Sequence, residues 1–68
     1  MATEVVELEV RPDGSYVALG SRDWHEALRG ATIKDVRSVT DDEAVWDIYT
    51  LVHPDGGERV YALPVASP

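Results

Sequence analysis

The chain contains no cysteine, which removes both disulfides and thiolate zinc sites, the usual reinforcements of a small fold. Only two histidines are present, His25 and His53, far apart in sequence, so little is left for a structural metal and no cofactor is expected. Phenylalanine, asparagine and glutamine are absent as well. Trp24, Trp46, Tyr16, Tyr49 and Tyr61 are therefore the whole aromatic supply, and filling the core is their first task. The longest uninterrupted apolar stretches run two to four residues, far short of the ~20 a membrane helix needs. Met1-Ala2-Thr3-Glu4 has no basic n-region of a leader. The expectation is a soluble, cytoplasmic protein with no membrane partner.

What is present is acid. Thirteen Asp and Glu residues face six basic ones, Lys34 being the only lysine, for a formal net charge of −7. Such a surface repels phosphate backbones, so direct nucleic-acid binding is not expected unless Arg11, Arg22, Arg29, Arg37 and Arg59 converge on one face. The same acid excess suits adaptation to high salt. Apolar residues make up 44% of the chain, normal for a folded domain, and 68 residues predict one domain spanning 1–68. A single core of that size supplies only about 3–5 kcal/mol. With disulfides and metals set aside, self-association is the remaining common support.

Two proline-aspartate-glycine segments, Arg11-Pro12-Asp13-Gly14 and His53-Pro54-Asp55-Gly56-Gly57, each lie between runs rich in valine, leucine and tyrosine. Proline presets φ at the first turn position, aspartate bonds the backbone beyond it, and glycine supplies the positive φ that closes a type I turn with a bulge. Each reads as a hairpin tip. Alternation over Glu4 to Val10 makes a half-buried strand, and Ser15 to Leu19 is its partner, with Val10 opposite Tyr16, Leu8 opposite Ala18, Glu9 opposite Val17 and Glu7 opposite Leu19. The second hairpin repeats the first loosely, Val60-Tyr61-Ala62-Leu63 standing against Tyr16-Val17-Ala18-Leu19; convergence on a good turn accounts for the likeness.

After Gly20 the sequence Asp23-Trp24-His25-Glu26 has capping-box spacing, and Trp24, Ala27 and Leu28 form one apolar stripe ending at Gly30. A helix of about two turns is expected, held by packing onto the sheet face of Val6, Leu8 and Tyr16. Thr32 to Thr40 is rich in β-branched residues and predicts an irregular or bulged strand. Asp41-Asp42-Glu43 makes a polar turn. Ala44 to Val52 is apolar on both faces, Val45, Tyr49 and Leu51 on one and Trp46, Ile48 and Val52 on the other, which predicts a central strand. Glu58 to Leu63 follows the second turn, and Pro64 is expected to end it.

No pattern of catalytic residues stands out. His25-Glu26 lacks a second histidine four residues on, and adjacent helical residues point about 100° apart. Asp41, Asp42 and Glu43, with Asp47 nearby, lack calcium-loop spacing. His53 before Pro54 is expected exposed or stacked on a strand neighbour, and none of Ser15, Ser21 and Ser38 sits in a strained nucleophile elbow. The chain is not expected to be an enzyme.

The expected fold is α+β: a small, mainly antiparallel sheet of four to five strands in the order β-β-α-β-β-β, with one short helix on one face. One short helix leaves a face uncovered, so the expected function is a small acidic protein-interaction module, homodimeric or bound to another protein. With Val6, Leu8 and Tyr16 under the helix, the expected interface gathers Val5, Val17, Leu19, Trp46 and Tyr49. The alternative is an acidic nucleic-acid mimic that inhibits a DNA-binding protein, with carboxylates such as Glu7, Glu9, Asp13, Asp41, Asp42 and Glu43 standing in for phosphates.

Overall fold

The computed structural model describes residues 3–41 and 44–65. Five strands, β1 (Glu4–Val10), β2 (Tyr16–Asp23), β3 (Thr32–Asp41), β4 (Ala44–Val52) and β5 (Glu58–Val65), form one antiparallel sheet. One short helix, α1 (Trp24–Leu28), lies between β2 and β3 in the chain. This is a small α+β fold, mostly sheet. Its spatial order, β2-β1-β5-β4-β3, departs from chain order, because β1 pairs with β5 through Val6–Ala62, Glu7–Tyr61 and Leu8–Val60. The middle strand is therefore β5 rather than β4, and the consecutive residues Tyr61 and Ala62 are both buried. Beyond the backbone of Asp41, the turn expected at Asp41 to Glu43 lies outside the described residues.

The two proline-aspartate-glycine turns share one construction. Gly14 N–H donates to the Arg11 carbonyl at 2.9 Å and Arg11 N–H to that of Ser15 at 2.8 Å; Gly56 and His53 donate likewise, at 2.8 and 2.9 Å. Asp13 Oδ1 accepts from Ser15 N–H at 2.9 Å, as Asp55 Oδ1 does from Gly57 N–H at 2.8 Å. Gly14 at φ +90° and Gly56 at φ +85° occupy the left-handed region where a β-carbon clashes with backbone. Gly14→Val is expected to cost about 1–2 kcal/mol through backbone strain alone. The space around Gly14 is open, so urea denaturation should show that loss without loss of fold. Equivalent turns align Tyr16 with Glu58, each closing a pair with Val10 or Val52. The loose match of Tyr16 with Val60 is thus two residues out of step, and the likeness of the hairpins is that of their turns.

The Ser15 hydroxyl also donates to Asp13 Oδ1, at 2.6 Å. That bond, with the Ser15 backbone N–H, holds the Asp13 carboxyl below its ordinary value of 3.8. A depressed folded-state value stabilises the fold above the unfolded value, and the contribution is lost as pH falls through the folded one. NMR titration should find Asp13 half-protonated below pH 3.8, and Ser15→Ala should move that midpoint upward.

Register near the first turn follows the expected pairs as far as Leu8–Ala18; a bulge at Leu19 then sets Glu7 opposite Gly20 instead of Leu19. β3 carries its own bulge between Ile33 and Asp35, at Lys34. Pro64 does not end β5, which continues to Val65. Past Ala62 that strand is paired by β4 alone, and a missing N–H on a one-sided stretch is tolerated.

The helix begins where Asp23 Oδ1 accepts from His25 N–H at 2.8 Å and the Thr3 carbonyl accepts from Trp24 N–H at 2.8 Å. Glu26 lies 3.6 Å from Arg29. The helix spans five residues, little more than one turn instead of two, and its end abuts the second hairpin turn: a β-carbon on Gly30 would sit 3.3 Å from Pro54. Trp24, Ala27 and Leu28 pack on Val5, Leu51 and Tyr61. The Trp24 ring centroid is 4.9 Å from that of Tyr49 and 6.2 Å from that of Tyr61. The helix therefore covers the Val5, Tyr49 and Leu51 face and not the Val6, Leu8 and Tyr16 face expected from sequence. Its start is pinned beside the first residue of β1, and Val5, 1% exposed, is the residue it meets there.

Candidate functional site

Strand alternation carries Val6, Leu8, Ile48 and Ala62 to the face away from the helix, where Val6 pairs with Ala62 and Ala62 with Ile48. From the two edge strands come Tyr16 and Ala18 of β2 on one side and Val39 of β3 on the other, the latter opposite Trp46. These eight residues line one trough of about 330 Å³, floored partly by the small side chains of Ala18 and Ala62. None of them is charged. Nearer the hairpin turns the face becomes mixed, with Arg37, Thr50 and Glu58 beside Val10 and Val60. No described helix, strand or loop lies over this face.

The five residues expected to form an interface do not share a surface. Val5 is buried under the helix, and Tyr49 packs against Trp24. Val17 lies opposite Glu9 on the helix side of the sheet, and Leu19, 51% exposed, lines a cleft with Glu7, Glu9 and Arg59. Only Trp46 stands on the open face. The signal for that face is the alternation of β1, whose apolar row of Val6, Leu8 and Val10 is the one expected from sequence to lie under the helix.

The other candidate residues are engaged locally or stand apart. His25 is exposed on the helix. His53 is half-buried: its Nε2–H tautomer donates to the Ala27 carbonyl at 3.1 Å, its ring lies 6.5 Å from Tyr61, and Nδ1 is buried with no hydrogen-bond partner. His53 thus clasps the helix end to the second turn, a contact that residue spacing does not disclose. Glu7 takes Arg22 Nε at 2.9 Å, and Asp47 accepts from the Ser38 hydroxyl at 3.0 Å. Arg22 reaches Glu7 by lying across Gly20, where a β-carbon would stand 3.1 Å from its guanidinium. Asp42, Glu43 and the Asp41 side chain lie outside the described residues. Among the described residues no three His, Asp or Glu side chains are grouped to hold a metal ion, and no helix is long and apolar enough to cross a membrane.

The arrangement offers apolar cover to whatever docks on it. No family model, curated protein or solved structure matches the chain.

Proposed function

We propose that this chain is a small acidic protein-interaction module of the cytoplasm, without catalytic chemistry of its own, whose binding surface is the open face of the sheet. The observation that supports this reading is the uncharged trough running from Tyr16 and Ala18 to Trp46 and Val39 in a chain of net charge −7. Burying such a surface is favourable at roughly 25 cal/mol per Å², whereas leaving it in water contributes nothing to stability. Hydroxyl-radical labelling provides the test, comparing the pure chain at high dilution with the chain in concentrated extract of its native cells. Leu8 and Trp46 should be protected in the extract, while Ile33 and Val36, on the helix side of β3, label equally in both. Equal labelling of Leu8 and Trp46 would remove the reading. The nucleic-acid mimic draws no specific support from the described residues, whose carboxylates are divided between turns, ion pairs and both faces.

A further inference from the structure

Resting on that reading, we infer that the occupant of the open face is a second copy of this chain, laid face to face so that two sheets form a two-layer sandwich with the helices outside.

Charge distribution carries the first part of the argument. A different protein recruited through the net charge of −7 would be basic and would read carboxylates. Of the described strand carboxylates, Glu7, Glu9 and Asp47 lie on the helix face, paired across the sheet with Gly20, Val17 and Ser38, while Glu4, Asp35 and Glu58 stand at the margin of the open face. The trough itself has no ionisable group but the Tyr16 phenol. Two ion pairs stand at its margin: Lys34 Nζ meets Glu58 at 3.0 Å, and Arg37 Nε lies 3.7 Å from Asp35. Such mixed pairs suit a two-fold axis, which can turn each cation toward the partner's anion.

Size and shape carry the second part. The molecule measures 36 × 35 × 20 Å, so its broad face is large enough to bury the about 800 Å² per partner of a stable interface. A twisted sheet is hollow along one diagonal and raised along the other. A second copy turned across the first therefore presents its ridge to the trough, as in crossed sheet packings. The small Ala18 and Ala62 leave room for the larger side chains, Trp46 and Tyr16, of the opposing copy.

Light scattering coupled to size exclusion of the whole chain at micromolar concentration tests the inference. The expected mass is twice the 7.5 kDa of one chain. Raising salt should strengthen the assembly, because it screens the repulsion between two copies of net charge −7 and does not weaken apolar burial, whereas a contact held by ion pairs would loosen. Ala18→Glu places a carboxylate in the trough from an exposed position on edge strand β2, and should return the mass to that of a monomer with strand circular dichroism retained. Leu19→Asp, on the other face, should leave the dimer intact. For the case in which Ala18→Glu unfolds, Trp46 in a Trp24→Phe background gives a second measure: its emission should shift to the blue with rising concentration. A wild-type monomer with unshifted Trp46 would overturn self-association, and protection of Trp46 in extract would then leave the interaction reading standing with another partner. A dimer that survives Ala18→Glu and dissociates with Leu19→Asp would overturn the inference by placing the contact on the helix face.

Discussion

Leu51→Ala is expected to destabilise the protein by about 2–5 kcal/mol, and in a domain whose whole stability is about 3–5 kcal/mol that unfolds much of the population at room temperature. Leu51 is 0% exposed, lies opposite Ile33 and Arg59 in the ladder, and packs with Val5, Ala27 and Tyr61 beneath the helix. The cavity left by truncation is bounded by backbone on the sheet side and by a five-residue helix on the other, so collapse to fill it would require moving the helix. Urea denaturation followed by far-ultraviolet circular dichroism measures the effect. A loss below about 1 kcal/mol would mean that the helix side closes over the gap and that this cluster is not the centre of the core.

Trp24→Ala is expected to cost about 3–5 kcal/mol, although Trp24 is only half-buried. A helix of five residues has no stability of its own, and its attachment consists of Trp24 against Tyr49 and Tyr61, Ala27 and Leu28 on the sheet, the Thr3 carbonyl at its start and His53 near its end. Removing the indole deletes the largest of these contacts and uncovers Val5 and Leu51 together. Trp24→Phe keeps a ring in place and should cost less than half as much. Equal costs for the two variants would show that the polar ties at the helix ends, and not the ring packing, hold it down.

The parts of this fold that were legible in the sequence are those set by local chemistry. Pro-Asp-Gly fixes both turns because each residue acts within the turn, and the resulting pairs Val10–Tyr16, Glu9–Val17 and Leu8–Ala18 follow by counting. The two faces of β4 were legible for the same reason, since alternation places Tyr49 and Leu51 together and Trp46 and Ile48 together whatever covers them. Contacts decided at long range were not. Nothing near Leu19 announces its bulge, and the pairing of β1 with β5 joins residues more than fifty positions apart. The choice of face was the consequential case. A short helix bearing Trp24 and Leu28 can dock on either side of a sheet that is apolar on both, and the decision rests on the Thr3 carbonyl and on where β3 begins. That single inversion moved Val5 and Tyr49 from surface to core and left Trp46 alone of the expected interface residues on the open side.

The joint between β1 and β5 is only three residue pairs long, against seven between β1 and β2 and eight between β4 and β5. It divides the molecule into a two-stranded and a three-stranded piece, joined in sequence by residues 24–31, which cross from one edge of the sheet to the other. Zipping that joint closes the longest loop in the chain, an entropy cost that the hairpins do not share, so it is expected to form after them in folding. Those amide hydrogens of Val6 to Leu8 and Val60 to Ala62 that point across the joint should then exchange together. Once apart, the two pieces expose matching unpaired edges, and the first hairpin of one molecule fits the vacated edge of another as well as its own. The protein thus carries a route to reciprocal strand exchange between copies, one that would leave every pairing in the sheet unchanged.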